Sequence, residues 1–129
     1  MFRWLRRRLR AGAGRRPAPD ALLNEGLALA MDWGENWLAP IQERLRRAYP
    51  SLEPHELDAA NATCQAAMRF GHESLHAMTL EDARNVTQEA FSALLLAGYP
   101  WVSAENAARL FRQSTYYVWK AGGPAADVR

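Results

Sequence analysis

Apolar residues recur along this chain at steps of three and four, and no useful run alternates with a period of two, so the pattern predicts helices and no strands. Leu22, Leu23, Leu27 and Leu29 mark a first segment, Ala21 to Met31, with Asp20 as its N-cap and one costly residue, Gly26, inside it. Trp33, Trp37, Ile41, Leu45 and Ala48 then form one stripe from Asp32 to Tyr49, which Pro40 must kink or restart. The third segment is the clearest. Pro54 fits its first turn, Glu56 and Asp58 lie near the positive end of its dipole, and Leu57, Cys64, Gly71 and Met78 fall seven apart with Ala60, Ala67, Met68 and Leu75 between them. That seam of mostly small side chains faces a core and lets a neighbouring helix approach closely. Thr79 is the expected cap of a fourth helix, Leu80 to Ala97, which Gly98 should end in a left-handed conformation; Ser103 caps a fifth, with Ala107, Leu110, Phe111, Tyr117 and Val118 on its packing side.

The punctuation contains an echo. Tyr49-Pro50-Ser51-Leu52 joins the second segment to the third, and Tyr99-Pro100-Trp101-Val102 joins the fourth to the fifth, fifty residues later. The expected architecture is all-α: an antiparallel bundle of about four helices, or two helical hairpins if the echo reflects a duplication. Residues 20–122 would form one helical domain, preceded by a basic arm, 1–19, and followed by a disordered tail, 123–129.

Composition narrows this picture. A chain of 129 residues, 49% of them apolar, can bury one proper core. Its single cysteine, Cys64, allows no intramolecular disulfide and fits a reducing compartment, so a cytoplasmic location is expected. No run reaches the roughly 18 to 20 apolar residues that cross a bilayer, and arginines 6, 7, 8 and 10 interrupt any secretory signal.

Charge changes the picture more. Residues 1–16 hold seven arginines and no acid, whereas the chain from Pro17 onward has nine bases against fourteen acids. A basic arm thus precedes an acidic body. Phe2, Leu5 and Leu9 would share one side of a helix, the pattern of a membrane-surface or nucleic-acid-binding segment, but Gly12 and Gly14 end it, and the composition predicts disorder. Fifteen arginines to one lysine point to a GC-rich coding sequence, in which Met31-Asp32-Trp33 is an alternative start.

One stretch carries candidate chemistry. His72-Glu73-Ser74-Leu75-His76 resembles the zincin signature over about ten residues. The resemblance implies His72 and His76 as zinc ligands, four apart on one side of a helix, and Glu73 as the general base that polarises a bound water. Catalytic zinc needs a third protein ligand, and no histidine follows His76. On a helical wheel Glu73 and His76 lie with Asp58, Gln65 and Arg69 on the side away from the seam, and His72 at its border, where an ordinary solvated face would put them. Glu73-x-x-His76 also has the half-site spacing of di-iron bundles, with no second pair to complete it. Cys64, Met68, His72 and His76 are copper-ligand types four apart, but core packing accounts better for the first two.

Other segments point elsewhere. Residues 103–120 superficially resemble a DNA-binding helix-turn-helix, with Arg109, Arg112 and Lys120 toward phosphates, yet Arg112-Gln113 at the required turn continues a helix and the acidic body opposes a duplex partner. Aromatic residues, including Tyr116, Tyr117 and Trp119, fill gaps in an alanine-rich core. Trp101 and Tyr99, in a connecting loop, are the expected interaction surface. The sequence therefore predicts a helical interaction or regulatory module without catalytic activity or cofactor, engaging an unidentified protein partner or a second copy of itself. A zinc-dependent hydrolase built on His72, Glu73 and His76 is the leading alternative, and a DNA-binding regulator the next.

Overall fold

The computed structural model describes residues 16–32 and 39–121. Among these residues are five α-helices, one short 3-10 helix and no strand: α1 (Pro19–Ala30), α2 (Gln42–Ala48), α3 (Pro54–Asp82), a 3-10 turn (Ala83–Asn85), α4 (Gln88–Gly98) and α5 (Ala104–Lys120). The protein is all-α, and no helix among the described residues is long and apolar enough to cross a membrane. The readings of residues 1–15, of Trp33 and Trp37, and of the tail from Gly122 lie outside the described residues.

Local chemistry explains most boundaries. Pro19 opens α1 at a position where its missing N–H costs nothing, with Asp20 in the first turn rather than as the cap. At the start of α3 the Glu56 carboxylate reaches back to accept from the Glu53 N–H at 2.8 Å, and Pro54 occupies the first turn. Ser103 caps α5 as the sequence indicates, its Oγ accepting from the Asn106 N–H at 3.1 Å.

The expected break at Thr79 does not occur. Its hydroxyl instead donates to the Leu75 carbonyl at 2.8 Å, a bond made inside a helix, and α3 runs on to Asp82. Thr87 takes the capping role, accepting from the Ala90 N–H at 3.1 Å. Gly98 is the last residue of α4 and not a left-handed cap; the chain leaves the helix at Tyr99, with φ −134° and ψ 70°.

The chain divides within α3 into two compact units, Met1–Gln65 and Ala66–Arg129. In the first, Leu27, Ala30, Ile41, Leu45 and Cys64 are fully buried. A Cβ on Gly26 would lie 2.7 Å from Cys64 Sγ and 3.0 Å from Ile41 Cδ1, so glycine permits this close approach of α1. Arg44 on α2 donates to the Leu29 carbonyl at 3.1 Å, the Asp32 carboxylate at 2.9 Å and the Ala39 carbonyl at 3.4 Å, which ties α2 to the end of α1. In the second unit Ala67, Met68, Leu75, Phe91, Leu95 and Leu110 form the core. Here Gly71 has the same duty: a Cβ would lie 2.5 Å from Leu110 Cδ2 and 3.3 Å from Phe91 Cζ.

The fifty-residue echo is structural. Tyr49 and Tyr99 share one backbone conformation (φ −134°, ψ 78° and 70°). Each closes its helix through an N–H bond to Leu45 or Leu95, at 2.9 and 2.8 Å, and each then accepts at 3.1 Å from the N–H of Leu52 or Val102. Leu52 and Val102 are both buried. Each unit therefore contains one copy of the same helix, Tyr-Pro loop and helix.

Candidate functional site

The candidate residues fall in the second unit, on α3 after Gln65, on the Tyr-Pro loop and on α5. The turn of α3 separates the two histidines into different surroundings. His72 is half-buried, its ring 5.5 Å from that of Tyr117 on α5. Burial pulls its imidazole below the ordinary range, and a hydrogen-bonding contribution from Gln113 offsets part of that effect. Glu73 and His76 are both exposed. Among the described residues no three histidine, cysteine or acidic side chains come together to hold a metal ion. Cys64, the other soft-metal ligand type in the α3 series, lies in the first unit, where it is fully buried and its thiol donates to the Leu23 carbonyl at 3.2 Å.

The buried side of α5 is unusually polar. Asn106, Gln113 and Ser114 are all buried alongside Ala107 and Leu110. Tyr117 is half-buried, and removal from water raises its phenol above the usual range. α5 is one uninterrupted helix from Ala104 to Lys120, so Arg112 and Gln113 form no turn and residues 103–120 do not fold as a helix-turn-helix.

Tyr99 and Trp101 are half-buried in an aromatic cluster. Tyr99 packs 5.5 Å from Phe70 and meets Trp101 edge-on at 6.3 Å, so these rings pin the loop onto α3. The more exposed rings are on α5, where Trp119 is 47% and Tyr116 38% exposed, contrary to the core-filling role expected of them. They lie 5.8 Å apart, and the Lys120 ammonium sits 5.8 Å from the Tyr116 ring centre. Arg112 is exposed one turn before Tyr116. Arg112, Tyr116 and Trp119 follow one another at steps of four and three, which keeps them on one side of the helix. The signal was present as large residues at helical spacing on the polar side of α5, but whether that side is covered depends on where the neighbouring helices lie.

The first unit offers a different feature, a cleft of about 450 Å³ between α1 and α3. Apart from the Arg16–Glu56 ion pair and the Thr63 hydroxyl its lining is hydrocarbon, from Leu22, Leu23, Leu52 and the alanines of α3 among others, and it assembles no nucleophile with a base. No protein-family model, curated protein sequence or solved structure matches the chain.

Proposed function

We propose that this chain is a non-catalytic protein-interaction module that works in the cytoplasm without a cofactor and docks its partner through the outer face of α5. The observation that carries this reading is the exposure of Trp119 and Tyr116 side by side, flanked by Arg112 and Lys120. Aromatic and cationic side chains together are what protein interfaces use as anchors, because rings bury large areas at little entropic cost and the cations orient the partner. The cytoplasmic part of the reading draws on the single buried cysteine, held as a thiol.

A photo-crosslinking residue placed at Trp119 in cells provides the test, with the same residue at exposed Gln88 as the control. A defined protein adduct at position 119, lost in an Arg112→Glu background, is expected. No adduct at 119, or equal adducts at both positions, would overturn the reading. So would near-stoichiometric zinc in protein purified without an affinity tag, if a His72→Ala substitution removed it, because that result restores the hydrolase.

A further inference from the structure

The outer face of α3 in the second unit carries Glu73, Ala77, Leu80 and Glu81, and α5 carries Arg112, Tyr116, Trp119 and Lys120. Both sets are spaced by four, three and one, and all eight residues are exposed. Each set is an apolar pair bracketed by two charges, acidic on α3 and basic on α5. Leu80, at 60%, is the most exposed large apolar side chain among the described residues.

We propose that the partner of the α5 face is the α3 face of a second copy of this chain, an inference that rests on the reading of α5 above. Identical spacing fixes the register when the two helices lie parallel. Glu73 and Ala77 then lie at the level of Arg112 and Tyr116, and Leu80 and Glu81 at the level of Trp119 and Lys120, so acids and bases occupy the same turns of the facing helices. The same register sets Arg69 opposite Ala108 and Glu105 opposite Ala66, so no like charges among these groups are brought together. The two faces of one chain cannot satisfy each other, because α3 and α5 of that chain turn their inner sides together through Gly71 and Leu110 and through His72 and Tyr117.

A second copy also fits better than a polyanion. A nucleic acid or an anionic membrane would meet the cations of α5 but leave Leu80 uncovered, and the net negative charge of the chain from Pro17 onward would oppose it. The contact is short, since the eight helical steps from Glu73 to Glu81 span about 12 Å. Association is therefore weak per contact, runs head to tail from one copy to the next, and is sensitive to salt because its charges lie at the surface.

Sedimentation equilibrium of the full chain tests this. Concentration-dependent self-association is expected, at least tenfold weaker when salt is raised from about 50 to about 500 mM, a change that shortens the screening length severalfold. Arg112→Glu with Lys120→Glu should abolish it, and so should Glu73→Lys with Glu81→Lys. An equimolar mixture of these two doubly substituted proteins should associate again, because both faces then meet an opposite charge. All four residues are exposed, and unchanged circular dichroism confirms that the variants fold. A chain that stays monomeric at every concentration overturns the second-copy inference while leaving the α5 reading to the crosslinking result. Self-association indifferent to both pairs of substitutions, or a mixture that fails to reassociate, overturns the proposed pairing.

Discussion

Burial sets the chemistry of Cys64. Burial without exposed surface pushes its thiol, which donates to the Leu23 carbonyl, up to about 12, so almost no thiolate exists at neutral pH. The full chain should react with a disulfide reagent orders of magnitude more slowly than the same chain in denaturant, measured by absorbance. Gly26→Ala puts a methyl group against that sulfur and Ile41 and should cost about 1–3 kcal/mol in chemical unfolding, the usual penalty of overpacking. His72 makes its own prediction through linkage. Its folded-state affinity for a proton is lowered, so the unfolded chain binds more protons as pH falls past the ordinary imidazole value of 6.5. The stability this histidine contributes is complete above that pH and is lost on acidification. Between pH 7.5 and 5 the Tm should therefore fall more steeply in the native chain than in a His72→Gln variant, read by circular dichroism.

Helix ends show what a single sequence can reveal. Ser103 and Pro54 are legible because their effects are local: a hydroxyl reaching a nearby N–H, a ring that needs no donor. Thr79 and Thr87 are both plausible caps by the same local rule, and the choice between them lies in packing. Burial of Leu75 and Thr79 keeps α3 helical through the earlier threonine, and only Thr87, exposed beyond the 3-10 turn, has extended backbone for capping. Gly98 misleads for a related reason, since its helical backbone needs no glycine and a Cβ there would meet nothing within 4 Å. Gly98→Ala should accordingly stabilise the chain by about 0.4–1 kcal/mol, mainly by restricting the unfolded state. A fall in the urea midpoint would contradict that account.

At the scale of the molecule, the all-α class and the repeated Tyr-Pro loop were legible because both follow from spacing and punctuation. The candidate site was less so. The His72–His76 motif draws the eye, yet its two rings differ in burial, while the exposed face of α5 has no motif and can be recognised only once α3 and α4 are in place. The same dependence on distant partners applies to the first unit, where an alternative start at Met31 would remove α1. Leu27 and Ala30 are fully buried, and Gly26 and Leu23 lie directly against Cys64, so α1 is part of that core and not an appendage. A chain beginning at Met31 would uncover Cys64 and Ile41 together, and burial of a few such aliphatic side chains, at about 1.5–3 kcal/mol each, is a large share of the stability of a small unit. The thiol of a 31–129 chain should therefore react at close to the rate of the denatured protein. If it instead reacts as slowly as the full chain, α1 does not shield the sulfur and the packing of the first unit must be redrawn.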